Sequence, residues 1–225
     1  MLACGARLAF AQKAIIISDS ITANADVLPV IFANSGALTG AFVRFPKLSF
    51  GDYAVVSGKW SFPLTSTSYD LFGTEGKTRY SRKFSFILTS KANDSVKVNG
   101  VLKTFSQNQQ IGSVNFSANI VVTGDSSHLW TLSIKIENGG ETRKYEAFLT
   151  DGKRNILITP VRTMQYPLPG DGYEFSENDQ FYSAYQVIGK TYYRKIYKIY
   201  LEKSLDPKMK LVLSGAMVAI LELKD

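Results

Sequence analysis

Between Ser113 and Glu137 polar and apolar residues alternate almost one by one. Val114, Phe116, Ala118, Ile120 and Val122 share one parity, and Ser113, Asn115, Ser117, Asn119 and Thr123 take the other. Successive side chains of an extended chain point to opposite faces, so this pattern predicts a strand with one buried and one wet face. A polar turn follows at Gly124-Asp125-Ser126-Ser127. The alternation then resumes with Trp130, Leu132, Ile134 and Ile136 against Thr131, Ser133, Lys135 and Glu137. The two segments predict an antiparallel hairpin with Trp130 on its core face.

The same signal extends in both directions. Tyr80, Phe84, Phe86 and Leu88 oppose Ser81, Lys83 and Ser85, and a strand through Val96 and Val98 runs on towards Phe105. A Gln/Asn-rich loop at 107–110 precedes the hairpin, and Asn138-Gly139-Gly140 follows it as a turn of the kind that needs positive φ. Tyr145, Ala147 and Leu149, then Ile156–Val161, give further strands. Short turns between strands from about residue 79 to 163 favour an up-and-down antiparallel sheet. Upstream, 13–34 fits short strands or one short helix. Strands are expected at 42–50 and 53–56 around Gly51-Asp52, and a Ser/Thr loop through Thr65-Ser66-Thr67-Ser68. Downstream, Tyr166–Gly172 reads as a long loop within one domain. A strand or short helix is expected at 180–188 and a strand at 192–201. Leu211–Leu213, a Ser214-Gly215 turn and Ala216–Leu223 read as a final hairpin. The expected class is all-β: a mainly antiparallel meander forming a sandwich or barrel, with few short helices.

Composition narrows the function classes. Hydrophobic residues at 45% and charged residues at 20% are ordinary globular values for 225 residues. Lys and Arg number 26 against 19 Asp and Glu, a net charge of +7. That excess suits a basic soluble surface or an anionic partner, depending on clustering. Cys4 and His128 are the single cysteine and histidine, so internal disulfides and Cys/His zinc sites are ruled out. No cofactor or metal is expected, and no run approaches the ~18 apolar residues of a membrane-spanning helix.

Ala9-Phe10-Ala11 before Gln12 has the small-x-small form of a signal-peptidase site, so residues 1–11 read as a signal-peptide remnant and 12–225 as a single β-rich domain. Ala3-Cys4-Gly5 alternatively suits a lipoprotein box, and an ordinary apolar N-terminus is the third reading. The expected location is secreted, periplasmic or cell-envelope, with a lipid anchor under the second reading.

Catalytic signals are sparse. His128 sits on a hairpin turn, and no nucleophile elbow, phosphate loop or dinucleotide fingerprint is present. Asp171, Glu174, Glu177 and Asp179 cluster after the Pro/Gly loop, where paired carboxylates could hydrolyse a glycoside. Gly58-Lys59-Trp60 resembles the Gly-x-Trp signature of lipocalins, which would imply a barrel carrying a small ligand. Arg82–Phe86, Asp94–Asn99 and Phe50–Tyr53 together resemble uncharacterised secreted β-rich envelope proteins of Bacteroidetes type; that resemblance implies an envelope location and contributes no site.

The most unusual stretch runs from Tyr192 to Tyr200. On a strand, Tyr192, Arg194, Lys198 and Tyr200 share one face, and rings interleaved with cations can stack on sugars while pairing with anions. These four are the candidate ligand-binding residues, for a polysaccharide or an anionic surface; nucleic acid is not expected. The expected function is an exported, non-enzymatic binding or structural protein. A lipocalin-like carrier and a glycan-active hydrolase are the alternatives.

Overall fold

The computed structural model describes residues 23–32, 45, 47–69, 76–108, 110–125, 128–139, 142–160, 172–191 and 194–221. The strands are β1 (Ala25–Pro29), β2 (Ile31–Phe32), β3 (Leu48–Phe50), β4 (Tyr53–Trp60), β5 (Leu64–Tyr69), β6 (Gly76–Ser90) and β7 (Ser95–Gln107). They continue as β8 (Gln110–Val122), β9 (Leu129–Gly139), β10 (Thr142–Thr150), β11 (Asn155–Pro160), β12 (Gly172–Glu177), β13 (Gln180–Thr191) and β14 (Arg194–Glu202). One helix, α1 (Pro207–Leu221), ends the described chain.

From β6 to β14 every strand pairs antiparallel with the next in sequence. The sheet then bends back on itself through its first segment. β1 pairs with β14, β2 pairs with β3, and only Val30 separates β1 from β2. The Val30 amide still donates to the Tyr197 carbonyl at 2.9 Å, so residues 25–32 change partner within one extended run. The result is a nearly closed, barrel-like antiparallel sheet.

β4 and β5 both lie along β6, which at fifteen residues spans the two of them end to end. Ser61 holds the ladder across the break: its amide donates to the Lys83 carbonyl at 2.8 Å, and its Oγ accepts from the Lys83 amide at 2.9 Å. Thr65–Ser68, expected as a loop, are therefore part of a strand. Every residue of β5 is exposed, and a strand wet on both faces has no apolar alternation by which to be read.

Inside the sheet lies α1. Residues Leu211 to Leu221 are all buried, and the helix packs on β6, β7, β8 and β13. Of the final hairpin expected over 211–223, residues 211–221 are thus helix, and 222–223 lie outside the described residues. A helix enclosed on all sides has no polar face, so its 3.6-residue period leaves no trace in the hydropathy. Its start is well defined. Asp206 Oδ1 accepts the Met209 amide at 2.9 Å, and Pro207 occupies the first helical position. Gly215 lets the helix approach the wall: a Cβ there would meet Val96 Cγ2 at 3.2 Å and Val98 Cγ2 at 3.3 Å.

The remainder of the core follows the alternation. Trp130, Leu132, Ile134 and Ile136 are buried, as are their counterparts on β8. Aromatic rings fill one side of the barrel, where Phe84 lies nearly parallel to Phe116 with centroids 5.6 Å apart and Phe45 stacks on Phe86 at 4.7 Å. On the other side Tyr173, Tyr185 and Tyr197 stack in series at 6.0 and 6.2 Å.

Candidate functional site

Of the tyrosine-cation face expected over Tyr192, Arg194, Lys198 and Tyr200, the structure describes the side chains of Lys198 and Tyr200. Tyr200 is 6% exposed and packs with Ala25 of β1, Ala184 of β13 and Phe181. Its hydroxyl donates to Gln186 Oε1 at 2.8 Å, and burial pushes its pKa up. Lys198 is half-buried between Pro29 and Gln186 in register. Arg194 begins β14 opposite Thr191, and Tyr192 lies outside the described residues. Tyr200 is buried because β1, about 175 residues upstream, pairs with β14 and helps to cover its outer face.

The acidic cluster is likewise taken up in structure. Asp171 lies outside the described residues, and Glu174 is half-buried on β12. Asp179 sits exposed in the β12–β13 turn with φ 61°. Glu177 accepts from Arg154 Nη2 at 2.7 Å and from the Tyr182 hydroxyl at 3.1 Å. The guanidinium holds the Glu177 carboxyl below its ordinary range, while Glu177 raises Arg154. Arg154 also lies 5.8 Å from the Trp130 ring centroid and 5.5 Å from that of Tyr182. This cluster ties β9, the β10–β11 turn, β12 and β13 together at one end of the barrel.

His128 is exposed and bonded through Nδ1 to Asp125 Oδ1 at 2.9 Å. Asp125 Oδ2 accepts from Lys208 Nζ at 3.2 Å, which links this turn to the start of α1. Trp60 of the Gly-Lys-Trp triplet packs on Phe45 and Phe84, with the Arg82 guanidinium 4.1 Å above its ring. Gly58 leaves room for Phe45, whose Cβ and ring a side chain would meet at under 3 Å. The interior in which a lipocalin would carry its ligand is occupied by α1. Among the described residues no group of three His, Cys, Asp or Glu side chains could hold a metal, and no helix is long and apolar enough to cross a membrane.

A different surface concentrates unbalanced chemistry. β4, β5, β6, β7 and β8 contain no Asp or Glu. Their outward parity carries Lys59, Lys77, Arg79, Lys83, Lys97 and Lys103, all exposed. The inner parity is set by Phe84, Phe86, Leu88, Val96 and Val98, so the strand period itself sends these cations outward. Elsewhere on the wall the signs are mixed: Lys135 pairs with Glu137 at 2.8 Å on β9. From the level of Lys97 to that of Lys77 the basic face runs ten residues along β6, about 33 Å at the usual rise.

Two depressions mark this face. One, of about 300 Å³, is lined by Ser57, Lys59, Ser85, Ile87, Lys97 and Asn99. The larger, of about 520 Å³, crosses β5 to β8 and contains Arg79 and Lys103.

No family model, curated protein or solved structure matches this chain.

The functional reading therefore rests on geometry. Sequence reasoning passes over Arg79 and Lys103 because each is an ordinary outward cation on its own strand. The signal that could have found them is the scarcity of acid from Lys77 to Val122, a span in which the turn residue Asp94 is the sole carboxylate.

Proposed function

We propose that the protein is an exported, non-enzymatic binding protein of the cell envelope that holds an acidic polysaccharide along the outer face of β4 to β8. The observation that carries this reading is the row of six outward cations on strands without a carboxylate. Like charges on one face repel one another, so the face gains when a polyanion neutralises it. The serines and asparagines between the cations, such as Ser85, Asn99 and Asn115, can exchange hydrogen bonds with sugar hydroxyls.

Binding to immobilised polygalacturonate and to neutral dextran, measured across salt concentration, tests the proposal. Polygalacturonate should bind and weaken steeply with salt, because exposed charges beyond ~10 Å are screened at 0.1 M. Combined reversal of Lys59, Lys83 and Lys97 to Glu should remove most of it. Reversal of Lys144, Lys153 and Lys203, equally exposed but elsewhere, changes net charge identically and should retain most binding. Equal loss in both triple variants, or no binding by the wild type, overturns the reading.

A further inference from the structure

The 520 Å³ groove is too large for a bare inorganic anion and has a chemistry of its own. Cross-strand register arranges its outward residues in two rows. Ser66, Arg79, Phe105 and Ser113 form one; Leu64, Ser81, Lys103 and Asn115 form the other. Arg79 and Lys103 are consequently diagonal neighbours on adjacent strands, about 7–8 Å apart at the backbone. Both can reach one group placed between them.

Beside this pair the groove offers an apolar floor. A bulge skips Gly112 where Phe105 and Ser106 change register, and a Cβ at Gly112 would lie 3.2 Å from Phe105 Cδ1. The ring therefore rests over the bulge instead of pointing freely into solvent. Leu64, 72% exposed, closes the opposite side. Two diagonal cations at the centre, an aromatic and an aliphatic surface beside them, and hydroxyls with one amide around them are the mix of a small-ligand site rather than a plain charged patch.

We propose that this groove is a subsite for a single carboxylated sugar unit. The carboxylate bridges Arg79 and Lys103, the Arg offering a paired N–H fork and the Lys a point charge. The apolar ring face lies on Phe105, and sugar hydroxyls exchange hydrogen bonds with the Ser and Asn side chains around it. The site deepens the polysaccharide reading and rests on it: Lys59, Lys83 and Lys97 catch neighbouring units of the chain, whereas the groove fixes one of them. An acyl chain would leave the hydroxyls unanswered, which favours a sugar over a lipid surface.

The test is titration of the full chain with digalacturonate, its neutral counterpart digalactose, inorganic sulfate, and anionic phosphatidylserine vesicles, followed by amide NMR and calorimetry. Digalacturonate should bind and shift the amides of Ser81, Lys103, Phe105 and Ser113; the neutral disaccharide should bind at least about tenfold more weakly, as loss of one charged hydrogen-bonding partner implies, and sulfate, which lacks the ring face and the hydroxyls, should also bind more weakly than digalacturonate. Arg79→Ala with Lys103→Ala should lose digalacturonate by at least that factor. Ser66→Phe, which fills the groove and keeps both cations, should lose it too. The Lys59, Lys83 and Lys97 reversal should weaken polymer capture and leave the disaccharide in place. Sulfate binding as tightly as the disaccharide, vesicle binding without sugar binding, or an unaffected double variant overturns the subsite. Polymer capture with no disaccharide binding overturns the subsite alone and leaves the wider reading standing; loss of both removes the two together.

Discussion

Gly100, on the inner face of β7, gives the sharpest test of how the barrel wall is packed. A Cβ built there falls 2.3 Å from Phe84 Cζ, 2.4 Å from Cε1 and 2.9 Å from the Ser117 carbonyl oxygen. Carbon atoms settle at roughly 3.5–4.0 Å, so in Gly100→Ala the ring must withdraw by more than about 1 Å. The carbonyl belongs to the sheet and cannot give way. Phe84 is buried and stacked on Phe116, with Trp60 at 5.2 Å and Phe86 at 6.2 Å, so its retreat disturbs several rings at once. Overpacking costs about 1–3 kcal/mol and a lost aromatic pair about 0.5–1.5 kcal/mol, which together give roughly 1.5–4.5 kcal/mol. Urea unfolding of wild type, Gly100→Ala, Phe84→Leu and the double variant measures it. The shorter leucine should relieve the clash, making the double variant more stable than the sum of the single costs by about 1 kcal/mol or more. Gly152→Ala is the control: no atom lies within 4 Å and only its φ of +87° opposes a side chain, so it should cost of order 1 kcal/mol from backbone strain. A Gly100→Ala protein within about 0.5 kcal/mol of wild type, or strictly additive costs, would refute the close approach.

Trp130→Ala should destabilise by about 3–5 kcal/mol in denaturant titration, whereas His128→Ala, on an exposed turn, should stay within about 0.5 kcal/mol. Glu177 sets a pH dependence. Its folded-state pKa is depressed below 4.5 chiefly by the Arg154 hydrogen bond, so its stabilisation is complete above the unfolded value and disappears as pH falls through the folded one. Thermal melts below pH 4.5 should thus show a steeper loss in wild type than in Glu177→Gln, and parallel curves would contradict the clamp.

The wall of the barrel is legible in the sequence because β6 to β11 each bury one face and wet the other. That condition writes the period of two into the chain, and it places Trp130, Leu132, Ile134 and Ile136 correctly inside. Where both faces share one environment the period vanishes. β5 is wet on both sides and its pattern reads as a loop; α1 is dry all round and its pattern reads as a hairpin. For the helix a second signal stands in the chain, Asp206-Pro207, an N-cap followed by the proline that suits a first helical turn. Tyr200 needs knowledge of a different kind, since its cover comes partly from a pairing with β1 that local pattern does not encode. The groove lies between these cases. Parity correctly turns Arg79 and Lys103 outward, but only the register of β5 to β8 makes them neighbours.

Chain order gives the buried helix a consequence in time. Translation proceeds from the N-terminus, so Val96, Val98 and Ile120 leave the ribosome well before the Gly215 turn of α1 that packs against them. At about 5–20 residues per second the hundred or so residues between Val122 and Leu221 take roughly 5–20 s to make. Over that interval the nascent wall has hairpins but no centre, and β1 has no β14 to join. Completion is therefore a late event that waits on the last elements of the fold, and a nascent chain stalled before Pro207 presents its whole apolar lining to whatever chaperone or protease meets it first.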